Sequence, residues 1–236
     1  MISRDLFQRF YLPAAYHCPG FHAANMASTK WVPLRIGGRK SIDFFATGNT
    51  GSVVLGLIIE AVSGEDYYEY IRKNIYQPAG MPNSDHFVKT EISSGKAVGY
   101  FIPDQDGESG LTSNLDILGR MGGPAGGGYA SANDLLAFAN ALYDDRLIDP
   151  PHREVMTTYK LGSASAGGYA YLYQDGRING KRYIGHNGGA PGVNAEFSIF
   201  PDDAWTIIVL SNTHHNASPL ADQIRQWVAF PAEDDQ

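Results

Sequence analysis

One cysteine, Cys18, among 236 residues rules out an internal disulfide, so neither a disulfide-stapled scaffold nor a redox compartment can be read from cysteine chemistry. The chain also lacks a long apolar run. Its longest, residues 53–62, is interrupted by Gly56 and Glu60. That is well short of the roughly 20 residues needed to cross a bilayer, so no membrane span is expected. Charge is sparse, with 18% of residues charged, and Lys and Arg never cluster beyond a pair. Eighteen basic against 25 acidic residues leave a net charge of −7, which argues against nucleic acid as a partner. Several motifs are missing as well: no phosphate-binding G-x-x-x-x-G-K-[ST], no H-E-x-x-H and no G-x-S-x-G elbow. ATPase, zincin and ordinary α/β-hydrolase readings lose support accordingly. The first residues carry Arg4, Asp5 and Arg9 where a secretory signal needs an apolar core, so no export signal is read.

What is present is an ordinary globular composition, 43% hydrophobic, enough for one large domain or two small ones. Glycine (27) and proline (13) are abundant, which suggests a loop-rich enzyme or an all-β part. Residues 1–45 keep neither a helical nor a strand period for more than a few positions and read as an irregular N-terminal segment. From Asn49 the texture changes. Val53, Val54, Leu57, Ile58, Ala61 and Val62 recur at helical spacing before Gly64, which predicts a mostly buried helix. A second helix is expected from about Glu65, with Tyr67, Tyr70, Ile71 and Ile75 on one side and Pro78 and Gly80 as its end. The two should pack as a hairpin. Residues 82–121 read as a polar excursion or lid with one strand-like piece, 97–102.

Residues 122–128 spell GGPAGGG, a tight turn feeding a helix. Ser131 and Asp134 have capping-box spacing. Leu135, Leu136, Phe138, Ala139 and Leu142 form the core stripe of a helix over 132–143. Beyond Gly167 the period becomes two, predicting strands at 169–173, 182–186, 195–200 and 205–211. The expected turns are the pair Asp175, Gly176, the pair Asn179, Gly180, and Pro201 with Asp202 and Asp203. Ser218 and Pro219 suit a helix start, with Leu220, Ile224, Trp227 and Val228 on its apolar side. Consecutive strands joined by tight turns mean an antiparallel sheet. The fold class is α+β, with the terminal helix packed on the sheet.

Few of the candidate sites survive inspection. The 122–128 glycines do not follow the dinucleotide pattern. His214 and His215 lack a third ligand at a suitable spacing, so no metal is expected. The acidic run Glu233, Asp234, Asp235 reads as a solvated tail. The informative stretch is 186–192, HNGGAPG, read as a wide glycine connection between two strands. Its glycines would let a substrate lie against the strand edge, with backbone N–H groups free to hold an oxyanion.

Four segments in order carry a family resemblance: Asn49, Thr50, Gly51 with the helix VVLGLIIEAVSG; IYQPAGM at 75–81; GGPAGGGYASANDLLAFANAL at 122–142; and HNGGAPGVNAEFSIFPDDAWTIIVLSN at 186–212. The chain is similar to the serine hydrolases that include class C β-lactamases, penicillin-binding DD-peptidases and related esterases. The resemblance covers about residues 49–230 and implies a β-lactamase/transpeptidase-like fold, antiparallel sheet with packed helices, with a C-terminal portion at 46–236 and an incomplete helical part. It also implies attack on a carbonyl by a serine and an acyl-enzyme released to water. The implied ligand is a small acyl substrate, whether ester, peptide or β-lactam, with no cofactor. Compartment stays open between bacterial cytoplasm and periplasm.

On that resemblance His186, Asn187 and Gly188 stand at the family's K-T-G or H-x-G triplet on an edge strand. His186 would bind or polarise the substrate, Asn187 and Gly188 would contact it, and the Gly189 N–H would supply half the oxyanion hole. His186 in place of lysine leans towards an esterase or peptidase. Asn49 stands at the last position of the Y-x-N triplet and would orient the substrate. Thr47 falls where the family has tyrosine, and its hydroxyl cannot take over a phenol's proton transfer. The nucleophile is the larger departure. The family's S-x-x-K precedes Y-x-N, yet here Lys30 has Ala27 three residues ahead of it. The pair with the right spacing, Ser93 and Lys96, comes after Asn49. Three explanations stay open: a C-terminal portion of a longer hydrolase, inactive by itself; a relic that binds acyl ligands without catalysis; or a working enzyme with an unrecognised nucleophile such as Ser93. An incomplete helical part would leave apolar surface bare, at about 25 cal/mol per Å², so self-association is expected.

Overall fold

The computed structural model describes residues 49–89, 91, 94–103, 110–163 and 165–230. The readings placed on residues 1–45, Thr47, Ser93 and the acidic run 233–235 fall outside them. Helix α1 (Asn49–Ser63) ends at Gly64, whose φ of +71° suits a residue without a Cβ. It is not mostly buried. Val53, Gly56 and Leu57 are buried, whereas Leu55, Ile58 and Val62 are 49%, 46% and 83% exposed. An all-round apolar sequence signals burial on every side, but only one stripe of this helix meets described neighbours.

Asp66 caps α2 (Tyr67–Ile71) by accepting from the N–H groups of Tyr68 and Glu69. A π-helical turn, Arg72–Tyr76, and the short α3 (Gln77–Ala79) continue it to Gly80 in the left-handed region. Pro78 sits inside α3, and it is Gly80, in the left-handed region, that ends the helical run. The expected hairpin contact exists: α1 packs on α2, and Glu60 accepts from the Tyr67 N–H at 3.0 Å. The strand-like piece at 97–102 contributes β1 (Tyr100–Phe101), paired with β2 (Thr112–Ser113).

Helix α4 (Ala132–Tyr143) begins at the Ser131 cap, whose Oγ accepts from the Asp134 N–H. The Asp134 carboxylate does not close a capping box. It faces inward and accepts from the Asn83 N–H and the Ser84 hydroxyl, both at 2.7 Å, pinning the chain after Gly80 to the helix start. Leu136 is 43% exposed and leaves the expected core stripe. Helix α5 (Pro150–Thr157), capped by Asp149, has no counterpart in the sequence reading.

Six strands form one antiparallel meander in chain order: β3 (Leu161–Ser163), β4 (Gly167–Tyr169), β5 (Gln174–Ile178), β6 (Lys181–Ala190), β7 (Val193–Phe200) and β8 (Trp205–Ser211). Two expectations change here. The strand placed at 169–173 is mostly a turn, with Leu172 at φ +60°, and the turn placed at Asp175 and Gly176 lies inside β5. An Asp, Gly pair normally turns, but Asp175 is buried against two arginines. A Cβ on Gly176 would stand 2.2 Å from the Tyr183 ring.

Ala139, Leu142, Ile184 and Ile199 form a core between α4 and one face of the sheet. On the other face Phe200, Ile207 and Ala229 pack beneath α6 (Ala217–Ala229). Leu220 and Trp227 do not make the apolar side of α6, being 50% and 63% exposed. Its buried stripe is Ala217, Ala221 and Ala229, small residues that let the helix lie close to the sheet, together with Arg225. Asn216, not Ser218, occupies the cap position. Arg225 donates to Glu196 at 3.1 Å and Ser198 at 2.8 Å, so the polar row of β7 is buried beneath this helix. No described helix is long and apolar enough to cross a membrane.

Candidate active site

Strand β6 changes character along its length. Through Gly185 it lies between β5 and β7, with Gln174 opposite Gly185. There β5 ends and the chain turns away through Leu172, so from His186 to Ala190 the strand pairs with β7 alone. One side of that stretch is an open edge, and residues 186–189 are exposed. The stretch is therefore strand, not the wide connection read from its glycines. The reversal is confined to Pro191 and Gly192, between the paired Ala190 and Val193.

The tip is held from three directions. The Asn114 amide donates to the Pro191 carbonyl at 3.0 Å, the His214 ring meets the Ala190 carbonyl at 3.0 Å, and the Asn194 amide donates to the Gly188 carbonyl at 3.1 Å. Gly192 has φ +77°, and a Cβ there would stand 2.7 Å from the Tyr100 N–H nitrogen.

Beside this edge lies a cleft of about 580 Å³. Asn49 and Ser52 line it from the first turn of α1, Pro124, Ala125 and Gly126 from the glycine loop, and Tyr169, Leu172, Gln174 and His186 from the sheet. Asn49 and His186, far apart in sequence, thus face one space. None of these lining residues is acidic. The His186 ring is engaged on both nitrogens: Nε2 lies 2.8 Å from Tyr169 Oη, and Nδ1 lies 2.5 Å from the Asn187 carbonyl oxygen. Asn187 accepts from the Gln174 amide at 3.2 Å. Gly188 has open space where a Cβ would be, and Gly189 sits opposite Asn194. Burial raises the Tyr169 phenol above its ordinary value of 10.0.

The glycine loop is closed by reciprocal backbone bonds between Gly123 and Gly126 and rests on two supports. A Cβ on Gly56 of α1 would stand 2.2 Å from Pro124 Cγ, so that glycine sets how closely the loop approaches the helix. Beneath it, His86 is buried among Tyr67, Tyr68 and Tyr76, and a Cβ on Gly128 would stand 3.3 Å from His86 Nε2. Burial lowers the His86 pKa below 6.5, with Asp85 opposing the shift and Arg72 adding to it. Burial also lifts Tyr67 and Tyr76 to about 12.

An acid response follows from these shifts. A histidine kept neutral in the fold takes up its proton more readily in the unfolded chain. The stability it contributes is present above pH 6.5 and is lost as pH falls from there through its lowered folded value. For Asp134 and Asp175 burial alone raises the pKa, but hydrogen bonds outweigh it and hold both below 3.8. Their contribution is lost as pH falls below 3.8. Melting temperature is expected to fall in two stages on acidification, and a flat profile just below pH 6.5 would contradict the first.

Lys96, half of the S-x-x-K pair, does not reach the cleft lining. Its ammonium donates to the carbonyls of Val88 and Glu91 and lies 5.2 Å from the Phe87 ring centre, tying off its own loop. Among the described residues no three His, Cys, Asp or Glu side chains converge as a metal site. Sequence reasoning missed Tyr169, Gln174 and Ser52. Tyr169 was placed at the start of a strand, where nothing in its spacing marked a partner for His186.

The family model for Beta-lactamase matches residues 48–229. The chain belongs to the beta-lactamase family. Its relatives include the Bacillus subtilis protein PbpX, named as a penicillin-binding protein, at 34% identity over 70% of this chain and 39% of that one. A D-aminopeptidase of Brucella anthropi is 26% identical over 71% of this chain and 31% of its own length. Among solved structures, a penicillin-binding protein from Bacillus halodurans superposes with a TM-score of 0.73 at 27% identity, over 79% of this chain and 57% of that one. The chain therefore spans well under two thirds of the beta-lactamase family relatives it matches. The meander with helices on both faces is the β-lactamase/transpeptidase-like fold.

Proposed function

We propose that the cleft is the substrate-holding part of a serine-hydrolase site for a small acyl compound, and that this chain by itself binds without acylating. The carrying observation is the shared cleft of Asn49 and His186. In this reading the open edge of β6 receives the substrate, Asn187 and Gly188 contact it, and the Gly189 N–H donates to the carbonyl oxygen. The Asn49 amide orients the substrate from the opposite wall. The name of the D-aminopeptidase relative favours a peptide substrate that carries a D-amino acid.

Acylation needs a serine beside a base. The family's S-x-x-K does not precede Asn49 in this sequence, and Lys96 is engaged with its own loop. Treatment with a fluorophosphonate is expected to leave the intact mass of the folded chain unchanged. Turnover of p-nitrophenyl acetate or a chromogenic cephalosporin is expected to stay at the buffer rate. A stoichiometric adduct would overturn the non-acylating reading, and its loss in Ser93→Ala would locate the nucleophile.

Self-association belongs to the same proposal. Leu55, Ile58 and Val62 form an apolar strip on one side of α1 that is exposed among the described residues, and a second copy is the occupant proposed for it. Light scattering behind size exclusion is expected to give a mass above 25.7 kDa, returning to the monomer in Ile58→Lys. A monodisperse wild-type monomer would count against it.

A further inference from the structure

Histidine 186 has little freedom left to act on a substrate directly. A carbonyl oxygen only accepts hydrogen bonds, so the nitrogen facing the Asn187 carbonyl must carry a proton. In the neutral ring that makes Nδ1 the donor and leaves Nε2 bare. The group facing Nε2 at 2.8 Å is the Tyr169 hydroxyl, which then has to be the donor. The two rings meet edge to face at 81° with centres 5.7 Å apart, so packing as well as hydrogen bonding fixes the pair. No other titratable side chain lines the cleft among the described residues.

We propose that Tyr169 is a positioning residue for His186: its phenol holds the imidazole as the Nδ1–H tautomer, and the pair works in the cleft as one unit. The functional meaning rests on the acyl-cleft reading above. The geometry supplies something that the replacement at Thr47 takes away, a phenol in the cleft joined to a basic nitrogen, here on the sheet side. In the neutral pair the phenol proton lies on the bond to Nε2, and the Tyr169 oxygen can offer only lone pairs to any further group. When the ring gains a proton, Nε2–H becomes the donor to Oη and the phenol proton is released to point elsewhere. The added proton comes from solvent or a bound ligand and rests on Nε2, the phenol keeps its own, and the direction of the bond the two residues share reverses. The raised pKa of the Tyr169 phenol agrees with its staying protonated throughout.

The test is the tautomer itself, read from long-range proton–nitrogen spectra of the full chain carrying nitrogen-15 histidine, with His186→Gln to assign the ring. In its neutral form, wild-type His186 is expected to show a protonated Nδ1 and a bare Nε2. In Tyr169→Phe, which keeps the ring packing, the Nδ1–H to Nε2–H ratio is expected to fall roughly three- to tenfold, the worth of one hydrogen bond. A wild-type ring in the Nε2–H form, or an unchanged ratio in a Tyr169→Phe variant whose amide spectrum is otherwise preserved, would overturn the proposal. The wild-type reading needs no variant, so misfolding of Tyr169→Phe cannot hide the answer. Titrating N-acetyl-D-alanyl-D-alanine into the same sample separates the two readings. Perturbation of His186 supports the acyl cleft, whereas an unperturbed ring in the Nδ1–H form would remove that reading and leave the positioning role standing.

Discussion

Asp175→Ala is expected to lower the unfolding free energy by about 3–5 kcal/mol, more than any surface substitution in this chain. Asp175 is 1% exposed. It accepts from Arg177, from Arg182 Nε at 3.0 Å and from the Tyr159 N–H at 3.0 Å. Alanine would leave two guanidinium groups part-buried without their carboxylate, and it is this uncompensated charge that makes breaking such a cluster costly. The damage would extend past β5. Arg182 also donates to the Thr157 carbonyl at 3.2 Å, so the end of α5 is fastened to the sheet through the same hub. Urea unfolding should show a lower midpoint with an unchanged slope. A loss under about 1 kcal/mol would place Asp175 among ordinary exposed ion pairs and refute its role as hub.

Gly185→Ala is expected to cost about 3 kcal/mol or more and to disturb the cleft as well as the fold. A Cβ at this position would stand 1.9 Å from the Phe197 carbonyl oxygen and 3.0 Å from the Ser198 Cα. Both obstacles are backbone of the neighbouring strand, so no side-chain rotation relieves the clash, and β6 must move away from β7. Gly185 is the last residue of β6 paired on both sides, directly before His186. Displacing it shifts His186 relative to Tyr169. Gly180→Ala is the control, since a Cβ there meets nothing within 4 Å, although its φ of +80° carries strain of its own. Comparable losses at the two positions would show that steric contact at Gly185 is not what matters.

Much of the architecture was legible because its signals are local. The Ser131 cap, the Asn179 and Gly180 turn at φ +48° and +80°, and the meander with its closing helix follow from turn chemistry and period. The readings that failed concern residues whose partners are distant. Asp175 and Gly176 carry a turn signal, overridden by two arginines and a tyrosine ring. Leu220 and Trp227 look like the inner face of α6, yet the helix sits on alanines and sends Arg225 to Glu196 and Ser198. The site shows the same division. The glycines at 188 and 189 marked a place where the backbone is accessible, and the family resemblance supplied Asn49 and His186. The hydrogen bond from Tyr169 was invisible because it joins the end of one strand to a different strand, with no periodic spacing between the two positions.

Asn194 has a consequence beyond holding the strand. Its amide nitrogen donates to the Gly188 carbonyl, and its oxygen accepts from the N–H groups of Ala217 and Ser218 at 2.8 and 2.9 Å. One buried side chain thereby joins the open edge of β6 to the N-terminal turn of α6 on the far side of the sheet. The two regions form a single unit of local opening, since neither can detach without stranding the polar atoms that serve the other. Fraying of the last helix would then be felt as loosening of the cleft edge, and a ligand that orders residues 186–190 would slow amide exchange in a helix it never touches.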